Sequence, residues 1–363
     1  MRVRLRVVPA ALLAMALTLA ACGDDAAEPA AADDEVVDPN EPEGDEAGEV
    51  ASEPPDAAEL LRAEPVDAQL DGARIAMIAF QNNPFWDPVA AGAEAADELL
   101  GDHGAEVDWI IAGATLDVPT VIGAIESAVV QGYDAIGVVP LAEGACPAIQ
   151  QAVEAGVPVA TFIAEGSCAE ESGASFFHGQ PAHDAGAAAA DAMAEAIGGS
   201  GKVGIITGFF TVEQHELRRS GFVDRIESEY PDIEVVSSVE NEDDAGRAFS
   251  AAEDFMTSHP DLSGIYVTAG GPFGAAEAVQ QAGRADDVAV VSFDFVPETV
   301  ELVREGVIAA TIGQDPFGAS YNTAVWLFNM LAGQDPPSGQ YFVPVTVAVM
   351  TPDNVDAVLE TQQ

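Results

Sequence analysis

Amides and aromatic rings stand side by side at Gln81-Asn82-Asn83-Pro84-Phe85-Trp86, directly after the apolar run Ile75–Phe80. A short Ile-, Met- and Phe-rich run reads as a buried parallel strand. Pro84 suits the first turn of the helix predicted from Asp87 to Leu100. Carboxamides that donate and accept, next to rings that exclude water, then lie at the carboxyl edge of a strand beside a helix N-terminus. In open parallel sheets that rim is where ligands bind. The plainer alternative is an asparagine capping the helix above two core rings.

Other candidate chemistry fails on spacing. Gly198-Gly199-Ser200-Gly201-Lys202 has the glycines of a phosphate loop, but Val203 stands where Ser or Thr is required and the segment precedes a strand. His178 and His183 are five apart, which does not put two rings on one helical face as a zinc pair needs. No Gly-x-Ser-x-Gly elbow occurs, and paired carboxylates say little in so acidic a chain. The residues point to binding, not to an enzyme, and neither a metal nor a cofactor is expected.

Strand-like apolar runs at 73–80, 106–111, 134–139, 157–162, 202–207, 233–239, 263–268, 287–293 and 308–312 must position these groups. They alternate with helix-like segments at 85–100, 118–131, 145–155, 183–197, 214–229, 245–258, 273–282, 297–305 and 316–332. Strict alternation implies α/β architecture with parallel sheets covered by helices. About nine units exceed one small sheet, so two doubly wound lobes are expected, with a closed (β/α)₈ barrel as the rival. Ala174–Gln180 joins the halves as a hinge strand would.

The first 21 residues carry Arg2, Arg4 and Arg6, a short apolar core and Leu19-Ala20-Ala21 before Cys22. This is a secretory signal, and Cys22 sits where a bacterial lipobox places the lipidated residue, which becomes the mature N-terminus. Residues 22–70 follow as an acidic, Pro- and Ala-rich stretch with Arg62 as its one basic residue, read as a disordered tether. The formal net charge of −50, with Lys202 as the single lysine, argues against nucleic acid. Cys146 and Cys168 both fall in loops just beyond predicted strands, on one rim of the first lobe. Outside the cytoplasm a disulfide between them is expected, worth about 3 kcal/mol in the chain-entropy estimate, with two buried free thiols as the alternative.

From Gly72 onward the chain resembles the ribose/galactose-type periplasmic substrate-binding proteins of ABC sugar importers, in a lipoprotein form. The motifs in order are Asn82-Asn83-Pro84-Phe85-Trp86, Gly132-Tyr133-Asp134-Ala135-Ile136, Ala155-Gly156-Val157-Pro158-Val159, Arg218-Arg219-Ser220-Gly221-Phe222, Ser258-His259-Pro260-Asp261-Leu262, Val291-Ser292-Phe293-Asp294 and Gly306–Gln314. The resemblance implies a type I periplasmic binding fold, with an N-terminal lobe of residues 71–178 plus 315–338 and a C-terminal lobe of 179–314 plus 339–363. Hinge crossings are expected near His178–Gln180, Gln314–Asp315 and Gly333–Gly339. It also implies sugar contacts from Asn83, Arg218, Asp294 and Gln314, with Phe85 and Trp86 as ring platforms. Asp294 closes the run Val288–Phe293 as a lone carboxylate, its alternative being a helix N-cap for the segment after Pro297.

The chain departs from the family at several pocket positions. Ribose-type members carry Asp-Arg after the fourth strand, where this chain has Ile163-Ala164. Val139 replaces an asparagine before Pro140, Ala269-Gly270 replaces an Asn-Asp pair, and Asp243 stands in place of an aromatic. Glu165, Glu213, Gln214 and His215 are nearby substitutes. The expectation is a monomeric, lipid-anchored, extracytoplasmic binding protein that delivers a small polar ligand, a monosaccharide first of all, to an ABC permease. The rivals are a receptor for a signalling partner, a non-sugar ligand such as a nucleoside, and a lipid-anchored hydrolase.

Overall fold

The computed structural model describes residues 60–80, 84–113, 117–140 and 142–361. The first half runs β1 (Ala73–Ala79), α1 (Trp86–Gly101), β2 (Ala105–Ile111), α2 (Val118–Val130), β3 (Ala135–Val138), α3 (Cys146–Glu154), β4 (Val159–Ile163) and β5 (Phe177–Gly179). The second runs α4 (Ala182–Ile197), β6 (Gly201–Thr207), α5 (Glu213–Glu229), β7 (Ile233–Glu240), α6 (Ala245–Ser258), β8 (Leu262–Val267), α7 (Pro272–Gln281), β9 (Ala289–Phe293), α8 (Pro297–Arg304) and β10 (Ala310–Gly313). The chain ends with α9 (Pro316–Leu331), β11 (Phe342–Pro344), β12 (Ala348–Met350) and α10 (Val355–Thr361).

Two open six-stranded sheets replace the barrel alternative. Their strand orders, β11-β5-β4-β3-β1-β2 and β12-β10-β9-β8-β6-β7, are the same winding repeated. All neighbours are parallel except β10 and β12. Central strands buried on both faces explain the apolar runs: Ile75 to Ala79 and Val290 to Phe293 are all at or near zero exposure.

Small residues set how closely the covering helices approach. A Cβ at Gly221 of α5 would lie 2.0 Å from the His183 carbonyl oxygen, and one at Gly186 of α4 would lie 2.1 Å from that of Arg218. The α4–α5 pair therefore packs backbone to backbone, which fixes the depth at which α5 carries its side chains.

The chain passes between the sheets three times: after β5, after β10, and between β11 and β12. The first two fall at 180–181 and 314–315. The third falls at 345–347, not at Gly333–Gly339, because β11 pairs with β5 and so keeps residues 342–344 in the first sheet. The 339–363 segment is thereby divided between the lobes.

Residues 60–70, read in the sequence as the end of a disordered tether, pack on α9. The Ala63 and Val66 amides donate to the Asn322 and Asn329 side chains at 2.8 Å, and Arg62 pairs with Asp315. Side-chain amides on α9 give this short segment the backbone partners it would otherwise take from water. The signal, Cys22 and the remainder of the tether lie outside the described residues. Among the described residues no helix is long and apolar enough to cross a membrane. Cys146 and Cys168 are joined in a disulfide, Cα atoms 6.0 Å apart, tying the loop after β4 to the start of α3.

Candidate ligand-binding cleft

Carboxyl ends of strands from both sheets converge on a cavity of about 180 Å³ between the lobes. The first lobe lines it with Phe80 after β1, Pro84, Phe85 and Trp86 at the head of α1, Val139 after β3, and Ile163-Ala164 at the end of β4. The second supplies Gln214, His215 and Arg218 from α5, Asp243 after β7, Ala269–Phe273 after β8, Asp294 after β9 and Gln314 after β10. Parallel strands present these ends together because every crossover returns the chain to the opposite edge. Phe85, Trp86, Arg218, Asp294 and Gln314 are thus brought into one site, whereas Asn83 lies outside the described residues.

Asp294 is held by its backbone as well as its side chain. Its N–H donates to Ile312 O at 2.9 Å, its carbonyl accepts from Thr311 Oγ1 at 3.0 Å, and Oδ1 accepts from Gln314 Nε2 at 3.0 Å. No described group engages Oδ2. The residue is left-handed, φ 69°, and is not a helix cap, since α8 is capped at Val296. Burial raises its pKa, with Arg218 and Gln314 opposing that rise.

Arg218 is 3% exposed, deep in the lobe. Nε donates to Gln180 Oε1 at 3.0 Å and Nη1 to Thr268 O at 3.1 Å, while the guanidinium lies 4.1 Å from the Phe293 ring centroid. Nη2 is the nitrogen that no described group engages. Burial lowers its pKa, and Asp294 is the strongest opposing charge. Asp243, also left-handed at φ 56°, accepts from Gly270 N at 3.0 Å, and burial raises its carboxyl. His215 accepts from Phe209 N at 3.1 Å through Nδ1, which leaves the proton on Nε2. Burial first, then Arg218, pulls its pKa down to about 3.

Of the five left-handed residues other than glycine among those described, Ile163, Asp243 and Asp294 line this cavity. Such conformations cost on the order of 1–3 kcal/mol each and collect where a site dictates side-chain direction. Asp tolerates the conformation, whereas for a β-branched residue such as Ile163 it is an outlier.

Sequence reasoning placed Gln180 at a hinge crossing but missed its contact with Arg218. Its Oε1 accepts from Arg218, its Nε2 donates to Gly313 O at 3.1 Å, and its carbonyl accepts from Gln214 Nε2 at 3.4 Å. It therefore joins two crossings to a cleft residue. The signal available was a repeat: Gly179-Gln180 after β5 and Gly313-Gln314 after β10 occupy equivalent places. Gln214 and His215 reach the cavity, while Glu165 and Glu213 lie outside its lining. Among the described residues no group of His, Cys, Asp and Glu is arranged to hold a metal.

The periplasmic binding protein domain model matches residues 75–335. The chain belongs to this family. It is 26% identical to the xylitol-binding protein of Mycolicibacterium smegmatis over 298 residues, 81% of each chain. It is 27% identical to the D-ribose/D-allose-binding protein of Pseudomonas aeruginosa, over 70% of this chain and 80% of that one. The solved arabinose-binding protein AraP of Geobacillus stearothermophilus superposes with a TM-score of 0.67 at 31% identity, over 79% of this chain and 99% of that chain. These relatives are binding proteins, and the family is extracytoplasmic.

Proposed function

We propose that this chain is a solute-binding component of an ABC importer that captures a monosaccharide between its lobes. The carrying observation is the cavity itself. Asp294, Arg218, Gln214 and His215 line it from the second lobe, and Phe85 and Trp86 from the first. A carboxylate accepts from hydroxyls, a guanidinium donates, and rings cover C–H faces. Within families of this kind the sugar-binding relatives support the ligand class. The cavity of about 180 Å³ has room for a substituted ring.

Capture works by closure. Contacts from both lobes form together only when the lobes meet, so ligand shifts a hinge equilibrium toward the closed state. The chain acts as a monomer, tethered to the outer face of the membrane by lipid on Cys22, and hands its ligand to a permease. A thermal-shift screen of pentoses, hexoses, polyols, nucleosides and amino acids tests this, since a ligand of the native state raises Tm by mass action. A monosaccharide should shift wild type and leave Asp294→Ala unmoved. Shifts from nucleosides or amino acids alone would refute the sugar reading. Radiolabel from palmitate on wild type but not on Cys22→Ser tests the anchor.

A further inference from the structure

Equivalent strand ends in the two lobes carry opposite chemistry. β4 and β9 occupy the same position in the repeated winding, and a left-handed residue lining the cavity stands at the carboxyl end of each, Ile163 at φ 65° as the last residue of β4 and Asp294 at φ 69° just after β9. The backbone performs the same turn twice, yet one copy presents a carboxylate and the other a butyl side chain. Val139 after β3 and Ala164 beside Ile163 extend that aliphatic surface, and both are under 8% exposed. Phe85 and Trp86 can cover the flat C–H face that any pyranose offers. A fully hydroxylated sugar held in this cavity would also place O–H groups against the aliphatic wall at the ends of β3 and β4.

A hydroxyl pressed against such a wall loses its water without gaining a partner, and that cost falls on binding. A C–H or methyl group at the same place is favoured. We propose that the ligand is a deoxy monosaccharide, a sugar ring with hydrogen or methyl in place of a hydroxyl on the edge facing Val139, Ile163 and Ala164, and with its remaining hydroxyls turned to the second lobe. This rests on the monosaccharide reading above and sharpens it. One methyl or methylene in an apolar pocket discriminates by roughly 10- to 200-fold, so matched pairs of sugars read the proposal directly.

The test is calorimetric titration of the full chain with matched pairs: 6-deoxy-D-galactose against D-galactose, 6-deoxy-L-mannose against L-mannose, 6-deoxy-D-glucose against D-glucose, and 2-deoxy-D-ribose against D-ribose. The expected result is that the tightest binder is a deoxy sugar, at least tenfold tighter than its hydroxylated twin. Ile163→Asn should cut that preference by fivefold or more. Asn tolerates the left-handed turn, so this variant relieves strain and should not unfold the chain. Val139→Thr, nearly identical in shape, should cut it by a smaller factor. A hydroxylated sugar that outbinds or equals its deoxy twin would overturn the proposal and leave the monosaccharide reading intact. Failure of every sugar in the panel, with another class of compound binding, would overturn both.

Discussion

The two lobes are one winding used twice, and they differ where it counts for binding. In the first, strand ends at the cleft are Phe80, Val139, Ile163 and Ala164; in the second, the matching edge carries Asp243, Asp294 and Gln314, with Arg218 behind them. The second lobe is also the more preorganised. Asp294, Gln314, Arg218, Gln180, Asp243 and Gly270 already form fixed hydrogen bonds without ligand. Among the described residues the labour is divided: the second lobe holds the polar groups in place, and the first supplies a water-excluding cover. Each bond made by the second lobe then gains from the low local dielectric that the first lobe provides.

Truncation separates the two roles most sharply. Asp294→Ala removes a charged acceptor and leaves Arg218 without its main counter-charge, so affinity should fall by about 100-fold or more, roughly 3 kcal/mol. Calorimetry on the best sugar measures it. A loss under fivefold would break the assignment of polar recognition to the second lobe.

Acid probes the first lobe beside the first crossing. His178, 1% exposed, is bonded through Nδ1 to Val343 O at 2.7 Å and through Nε2 to the Asn322 amide at 3.2 Å. Burial pulls its pKa down to about 4. The unfolded chain, near 6.5, binds the proton more readily, so stability is complete above about pH 6.5 and is lost as pH falls toward 4. The loss should reach about 3 kcal/mol, at about 1.4 kcal/mol per tenfold change in proton affinity. Denaturant titrations at several pH values, compared with His178→Gln, isolate it. An unchanged slope in the variant would remove His178 from the account.

The first lobe's rings should matter less than the second lobe's charges. Phe85 is half-buried and meets Trp86 edge-on, centroids 5.2 Å apart. Phe85→Ala should weaken binding by about fivefold, consistent with roughly 1 kcal/mol for an aromatic contact, with stability little altered. A loss equal to that of Asp294→Ala would erase the contrast between the lobes.

The smallest effect lies where the lobes touch away from the cavity. Glu213 at the head of α5 accepts from the Ser167 amide of the first lobe, and its Oε2 is buried without a partner. Burial raises the pKa of Glu213 and of Glu165, and Glu213 adds to the rise at Glu165. Groups with raised values favour the closed state most at low pH, and that favour is lost as pH rises through them. Affinity should therefore be a few-fold higher near pH 5 than near pH 7.5, and Glu213→Gln should flatten the difference.

Much of this was legible because buried parallel strands are plain apolar runs. The nine long ones stood out, and with them the doubly wound class. β11 and β12 did not: each is three residues long, too short for any periodic signal, and β11 is defined by pairing with β5, a strand about 165 positions earlier that was read only as a hinge strand within Ala174–Gln180. That omission misplaced the third crossing. At the cleft, Asp294 was visible as a lone carboxylate closing a strand, and Phe85 and Trp86 as rings beside a helix start. The role of Gln180 beyond its crossing was not, because it depends on the distance between two crossings. Nor was the left-handed turn at Ile163, since a β-branched side chain signals the opposite backbone. The docking of residues 60–70 escaped notice for a similar reason: it depends on Asn322 and Asn329, more than 250 residues away.

The most direct test is the crystal structure of the full chain with its tightest-binding sugar. The account predicts hydroxyls bonded to Asp294, Arg218 and Gln314, with carbon alone facing Val139, Ile163 and Ala164. A sugar bound elsewhere, or one whose hydroxyls leave the second lobe unengaged, would contradict it.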